Sequence, residues 1–364
     1  MIVGLAVGIA VGFLAASDCS ASPLDRVLEV IPWESEGGMV LFTNWSHIKD
    51  DLGLGFLTSG SSVDFRMQLL NRVSQDQAAA SAYAMQYSRS HAREWGWDTA
   101  DLEWEANIIS ENLPPAYVLK FRDGFDFTPV IERFIARNFT QTASYGATVF
   151  SHKLDVRAAW TRTTELSIHN TAVLADAGML ILSSFGVEPF LATLADTVPS
   201  LDEDPFARAA VAHLADPYAA ILAFGTGECL RFTPSPLLDL VGTSVTSERI
   251  EELKKTIEAK KLLVPYRVFA VGYRYAEGRP IGTVLFEYDT PELAERELSA
   301  RCALAQDGMS IRAEAPIAET YFTVLDCCVQ DSAAVLSVAP LNDQPWRLFR
   351  AILYRDAVFA ACSY

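Results

Sequence analysis

The sequence predicts an α+β protein of two similar lobes from an internal duplication, with mostly antiparallel sheets and helices packed on one face. Three observations lead there. A strand-to-helix unit occurs twice, as VLKFRDGFDFTPVIERF over 118–134 and VLFEYDTPELAER over 284–296. Short apolar runs are punctuated by hairpin-type turns at Asp176-Ala177-Gly178, Glu277-Gly278 and Asp331, the pattern of strands joined to their sequence neighbours. The markers also keep step: Thr128 and Thr290 lie 162 residues apart, Asp176 and Asp331 155, and Pro189 and Pro345 156. Three markers in one order at nearly constant offset are what a repeat leaves behind.

Each unit is justified by its own chemistry. In both copies an apolar strand runs to an Asp (Asp123, Asp289), then Thr-Pro, then a charged amphipathic segment. Thr128 and Thr290 are N-cap candidates whose hydroxyls satisfy an orphan amide, and Pro129 and Pro291 suit the first helical position. Ahead of the first unit, 39–43 reads as a strand, and Asn44 or Ser46 caps a brief helix through Leu52. Residues 63–95 carry the 3–4 spacing of one long helix or two in series, ended by Gly96. Leu102, Trp104, Ala106 and Ile108 alternate as a half-buried strand should, which puts Glu103 and Glu105 on its outer face. Strands follow at 116–122, 147–151, 165–174 and 179–184, with a helix opened by Pro189-Phe190. The second half reads as strand 219–224, a charged helix over 246–261, strands 266–275 and 281–288, the second Thr-Pro helix, strands 309–314, 321–329 and 333–338, a helix opened by Pro345-Trp346, and a closing strand 357–362.

The division that follows is 1–21 as a signal peptide or N-terminal membrane anchor, 22–38 as a linker, 39–200 as the first lobe and 205–364 as the second. Residues 196–206, rich in Asp and Pro, mark the boundary. At 364 residues the chain is long enough for two cores.

The N-terminus sets the compartment. From Ile2 to Ser17 the chain reads IVGLAVGIAVGFLAAS, sixteen residues without a charge. As a helix it reaches roughly 24 Å against a hydrocarbon core of about 30 Å. It reads either as a signal-peptide core, with Ala15 and Ser17 placed for cleavage before Asp18, or as a retained anchor. Cys19 invites lipidation, but Asp18 interrupts the small residues that a lipidated Cys follows. Gly4, Gly8 and Gly12 carry the small-xxx-small spacing of paired membrane helices. Either reading places the rest of the chain outside the cytoplasm, with membrane association through this segment if it is not cleaved.

Charge excludes a class of partner. With 46 acidic against 29 basic side chains the net charge is -17, and such a surface repels phosphate backbones, so no nucleic acid is expected. Lys254, Lys255, Lys260 and Lys261 alternate with Glu251, Glu252 and Glu258 as a solvated helix face does.

Beyond Cys19 the cysteines are Cys229, Cys302, Cys327, Cys328 and Cys362, with no C-x-x-C, so neither a zinc ribbon nor a thioredoxin-type site is signalled. An oxidising compartment leads us to expect one or two disulfides, Cys229 with Cys362 among them, and five cysteines leave an odd thiol. Adjacent Cys327 and Cys328 on a strand face opposite ways.

The densest functional-looking stretch is HAREWGWDTADLEWE from His91 to Glu105. His91 and Glu94, three apart on a helix, with Asp98 following, are the metal-ligand candidates, and Asp101, Glu103 and Glu105 could add oxygens. The competing reading is a solvated helix end, a turn and a strand with exposed acids. Trp95, Trp97 and Trp104 could stack a ring, or pack the helix onto the sheet. Neither G-x-S-x-G nor S-x-x-K occurs, and Gly225-Thr226-Gly227 lacks the rest of a dinucleotide fingerprint. No catalytic residue and no cofactor is therefore expected.

Residues 2–17, the run Val40-Leu41-Phe42-Thr43-Asn44-Trp45, Gly96-Trp97-Asp98 leading into Leu102, and the paired Thr-Pro units together give a layout that resembles uncharacterised exported or membrane-anchored bacterial proteins with two α+β halves. The resemblance implies an architecture and a compartment, and no activity. The function expected is that of a non-catalytic extracytoplasmic envelope protein, with an apolar or peptide ligand, or an envelope protein, as partner between the lobes. The alternatives are a metal-assisted hydrolase using the His91/Glu94 region and a structural partner in a membrane complex.

Overall fold

The structure is a computed structural model that describes residues 22–33, 37–76, 79–83, 90–152, 168–225, 263–310 and 312–362, with Lys255 alone between 225 and 263. The N-terminal apolar run, Cys19, Cys229 and the charged stretch 246–261 lie outside the described residues, apart from Lys255. In chain order the elements are α1 (Pro23–Leu28), β1 (Gly38–Asn44), α2 (Trp45–Asp51), α3 (Val63–Asp76), α4 (His91–Trp95), β2 (Leu102–Ser110), β3 (Ala116–Phe121), α5 (Thr128–Ala136), β4 (Thr140–Ser144), β5 (Ala147–Ser151), β6 (Asn170–Leu174), β7 (Met179–Ser183), α6 (Glu188–Leu194) and α7 (Pro205–Leu214). They continue with β8 (Ala219–Phe224), β9 (Val268–Ala276), β10 (Arg279–Glu287), α8 (Pro291–Asp307), α9 (Ile317–Thr320), β11 (Phe322–Gln330), β12 (Ala333–Pro340) and α10 (Trp346–Leu353).

The described strands form one antiparallel sheet of twelve, in the order β11-β12-β10-β9-β8-β1-β2-β3-β7-β6-β5-β4. The two halves meet at β1 and β8, paired from Met39↔Ala223 to Thr43↔Ala219. Outward from that seam the order is β8-β9-β10-β12-β11 on one side and β1-β2-β3-β7-β6 on the other, where β5 and β4 then extend it. Side-chain character follows position. Central β8, AAILAF, is buried throughout, whereas edge strand β4, TQTAS, is polar and exposed along most of its length. A strand covered on both faces reads as a continuous apolar run, and a polar edge discourages pairing with other chains.

Both faces of the sheet are covered, which corrects the expectation of helices on one face. On β1, Leu41 belongs to one core while Val40 and Phe42 belong to another. The first core takes residues from α2, α3, α5, α8, α9 and α10, and the second from α1, α6 and α7. The physical reason is the central apolar runs, which present hydrophobic side chains in both directions and need cover on both.

Cap chemistry explains where helices begin. Thr290 behaves as expected, its hydroxyl accepting from the Leu293 N–H at 3.3 Å with Pro291 in the first turn. Thr128 does not. It is already helical, and the Asp126 carboxylate accepts from its N–H at 2.9 Å. Residues 124–127, which stand between Asp123 and Thr128 and have no counterpart between Asp289 and Thr290, supply an acceptor earlier in the chain. Residues 22–38, expected as a linker, include α1, closed by a reciprocal Ser22/Asp25 capping box. Its Leu24, Val27 and Leu28 are fully buried. Residues 196–206 are likewise tied down: the Leu201 N–H donates to Ile31 O at 2.7 Å, and Leu201 is buried.

Three further expectations change. The helical pattern over 63–95 resolves into α3 and α4, and Gly96, with φ 87°, ends the latter as the sequence implied. The closing strand 357–362 is instead a buried turn around Val358–Ala360 whose carbonyls point at Arg301 rather than at a neighbouring strand. Residues 309–314 contribute only a bridge between Met309 and Pro316.

Candidate functional site

The site is built at the seam between the halves, on the face of the sheet that carries α2 and α3. Asn44 ends β1 and caps α2, its side chain accepting from the His47 N–H at 3.2 Å. That fixes Ile48 and Asp51 on α2 and Leu52 just beyond it. From the other half, the Tyr218 carbonyl accepts from the Asn44 N–H at 2.8 Å, and the Tyr218 N–H donates to Tyr273 O at 2.9 Å. Tyr273 and Tyr275 stand two apart on β9 and so share a face. Beyond them Glu277 (φ 51°) and Gly278 (φ 77°) turn the β9–β10 hairpin, two consecutive left-handed residues as a tight hairpin requires.

These elements enclose a pocket of about 450 Å³ lined by Ile48, Asp51, Leu52, Arg72, Val73, Tyr218, Tyr273, Tyr275 and Gly278. The three tyrosine rings form one cluster, with Tyr275 edge-on to the other two and centroids 5.8 Å apart for Tyr218–Tyr273, 5.3 Å for Tyr218–Tyr275 and 5.9 Å for Tyr273–Tyr275. The Tyr218 hydroxyl donates to Asp51 Oδ2 at 2.7 Å, joining the halves by a side-chain bond. Burial, and then the Asp51 carboxylate that takes its proton in the hydrogen bond, hold the Tyr218 phenol well above the usual range. Beside it the His47 ring lies 5.2 Å from Tyr218, and His47 Nε2 lies 3.3 Å from Asp216 Oδ2. The wall is aliphatic and aromatic, with one guanidinium and one carboxylate at its mouth. A wall of this composition is suited to an apolar group oriented by a small number of polar contacts.

The residues singled out from sequence lie elsewhere. His91 is fully buried, packed edge-on against Trp97 at 4.3 Å and Tyr83 at 5.9 Å. Burial pushes its imidazole down to about 3. Asp98 caps the turn Thr99–Asp101, accepting from the Ala100 N–H at 2.8 Å, and pairs with Arg66. Among the described residues no three His, Cys, Asp or Glu side chains are grouped so as to hold a metal, so His91, Glu94 and Asp98 are not a three-ligand set. Trp95 and Trp97 belong to one core and Trp104 to the opposite one, so they form no common platform.

Glu105, expected outside, is buried and accepts from Ser81 Oγ at 2.7 Å and the Tyr83 N–H at 2.8 Å. A bulge between Leu102 and Trp104 shifts the alternation by one. It leaves Leu102 on the side of the first core, while Trp104, Ala106 and Ile108 share the second. Glu105 points away from those three as expected, but that face is covered too, and desolvation there raises its carboxyl. Glu287 is also buried, and desolvation pushes it up to about 7; Ser332 Oγ donates to its Oε2 at 3.2 Å, and His213 Nε2 lies 3.4 Å from its Oε1.

Cys302 and Cys327 form a disulfide, and Cys328 is a free thiol. Cys362 is disulfide-bonded too. Cys229, its expected partner, lies outside the described residues. Among the described residues no helix is long and apolar enough to cross a membrane.

The aromatic seam was not singled out from sequence. Tyr273 and Tyr275 at alternate positions of a strand were a legible signal for a shared face. That this face meets α2 and α3 of the other half is a matter of tertiary pairing.

No family model matches the sequence, and no curated protein sequence matches it significantly. Among solved structures, crystal form I of TP0453 aligns with 92% of this chain and 99% of its own, at 10% identity and a TM-score of 0.43. Crystal form III of TP0453 aligns with 89% and 97%, at 8% identity and a TM-score of 0.38. At these scores the likeness is loose.

Proposed function

We propose that the chain is a non-catalytic extracytoplasmic protein of a bacterial envelope that binds an apolar or peptide ligand in the pocket between its two halves. The observation that carries the reading is the composition of that pocket: Ile48, Asp51, Leu52, Arg72 and Val73 come from one half, and Tyr218, Tyr273, Tyr275 and Gly278 from the other. Its volume of about 450 Å³ falls in the range of small-ligand sites, about 300–1,000 Å³. The uncharged N-terminal run is the basis for export. We read the halves as copies of one unit, because the strand orders outward from the seam correspond and a Pro-opened helix follows the third strand of each. On that reading the β4–β5 hairpin is an addition to the first copy.

Two experiments test this. Titration with Nile red, an uncharged apolar dye, should give a saturable fluorescence increase that Leu52→Trp, which fills the pocket wall, abolishes without lowering the thermal midpoint. Saturable binding that Leu52→Trp leaves unchanged would place the ligand elsewhere. Fractionation of bacteria expressing the full chain should find it in the envelope or periplasm. Recovery from the cytoplasm with Met1 intact would sink the assignment of compartment.

A further inference from the structure

We infer that the seam pocket takes a small zwitterion with an apolar side chain, an amino acid or dipeptide whose carboxylate meets Arg72 and whose ammonium meets Asp51. The inference rests on the binding role proposed above and names the class of ligand for the same pocket.

The argument begins with the shape of the aromatic wall. Ring centroids 5.3–5.9 Å apart mean that the tyrosines pack against one another. They leave no slot between them of the kind that encloses a quaternary ammonium on several faces. A ligand lies on the outer side of the cluster, where Ile48, Leu52 and Val73 complete an apolar bed for one side chain.

The charges at the mouth decide the rest. Arg72 and Asp51 both line the pocket. Asp51 Oδ2 accepts from Tyr218, which fixes that carboxylate on the pocket wall and leaves Oδ1 to a ligand. No ion pair joins Arg72 to Asp51, and among the described residues no carboxylate lies within ion-pairing distance of Arg72. An unpaired guanidinium beside a pocket, in a chain of net charge -17, is a fork shaped for a carboxylate.

A purely anionic ligand would satisfy Arg72 and be repelled by Asp51, and a purely cationic one would meet the reverse. A neutral apolar ligand would use neither. One positive and one negative group on the same small molecule satisfy both, and the pocket then remains electrically balanced with its ligand in place.

The test is equilibrium binding by calorimetry at low ionic strength to the full chain. The probes are leucine, phenylalanine, Leu-Leu and Phe-Leu, each also as its N-acetyl derivative and its C-terminal amide. At least one free form should bind, with acetylation and amidation each weakening it about tenfold or more. Arg72→Gln should erase the difference between acid and amide, and Asp51→Asn the difference between free and acetylated amine. Asn at 51 keeps an acceptor for the Tyr218 hydroxyl, and both positions are exposed, so thermal midpoints should stay near that of the unaltered protein.

Equal binding of free, acetylated and amidated forms would overturn the zwitterion and leave the pocket's binding role intact. So would saturable dye binding with no binding of any free form. Failure of both dye and peptides to bind would remove the binding role itself.

Discussion

Arg301 is the most demanding single residue in the fold, and its replacement by Met is the sharpest test of how the second half is closed. The side chain rises from α8 with no exposed surface. Its Nη1 donates to Phe359 O at 2.8 Å and to Ala361 O, its Nη2 to Val264 O at 3.0 Å, and its Nε to the Tyr288 hydroxyl at 3.1 Å. The guanidinium also sits over the rings of Phe286 and Tyr266, 4.8 and 5.4 Å from their centroids. It therefore replaces a strand partner for the C-terminal turn and ties that turn to Val264 at the entrance to β9. Met fills a similar space and donates nothing, so two buried carbonyls and the half-buried Val264 O lose their donor, at a cost of about 1–3 kcal/mol for each buried one. Relief from burying a cation offsets part of that, which leaves a net loss of about 3–5 kcal/mol. Arg301→Lys keeps the charge but cannot fork to several acceptors, and should fall between the two. The assay is urea denaturation of the oxidised protein, reading the midpoint at unchanged slope. A loss below about 1 kcal/mol for Arg301→Met would refute the reasoning, because it would mean that the carbonyls find other partners at no cost.

Four other outcomes are expected. Gly96→Ala should cost about 2–4 kcal/mol in the same assay, since a Cβ there would stand 2.9 Å from the backbone of Pro129 and Val130 at a φ of 87°. Cys302→Ser opens a bridge between residues 25 apart in sequence and should lose about 3 kcal/mol, with dithiothreitol, which also opens the bridge at Cys362, producing a larger loss in the unaltered protein. His91, neutral in the fold with its imidazole at about 3 against an ordinary 6.5, contributes stability that is complete above pH 6.5 and lost as pH falls toward 3. His91→Phe should flatten that acid limb, whose slope is about 1.4 kcal/mol per pH unit. Glu287 acts in the opposite sense. Held at about 7 against an ordinary 4.5, it contributes stability present below pH 4.5 and lost as pH rises through 7, and the urea midpoint of Glu287→Gln should lack that decline.

Much of the secondary structure was legible because its causes are local. The Asn44 and Thr290 caps, the Gly96 stop, and the hairpin turns at 176–178, 277–278 and 331 each depend on a few adjacent residues and took the expected form. Errors arose where a local rule had a competitor. Asp126 took the Thr128 amide before that threonine could cap, and Glu105, opposite Trp104 as alternation requires, is buried because helices cover that face of the sheet too. Residues 357–362 have the composition of a strand, and a fully buried arginine 56 or more positions earlier in the chain claims their carbonyls.

The candidate site was less legible than the fold. His91, Glu94 and Asp98 drew notice because polar residues at helical spacing resemble ligands, yet spacing does not say which way a helix faces, and here His91 faces a wall of aromatic rings. Tyr218, Tyr273, Tyr275, Arg72 and Asp51 carry no motif at all.

Taken alone, the sequence determined the class of protein, an α+β chain with antiparallel strands, a net acidic charge and an apolar N-terminal run, because composition, periodicity and capping are properties of neighbours along the chain. Only the tertiary structure decided that β1 pairs with β8 to merge both halves into one sheet, that helices cover both its faces, and that α2 and α3 of one half close over three tyrosines of the other. Those outcomes depend on contacts between residues far apart in sequence, where side-chain shape and strand register select the partner and no local pattern records the choice.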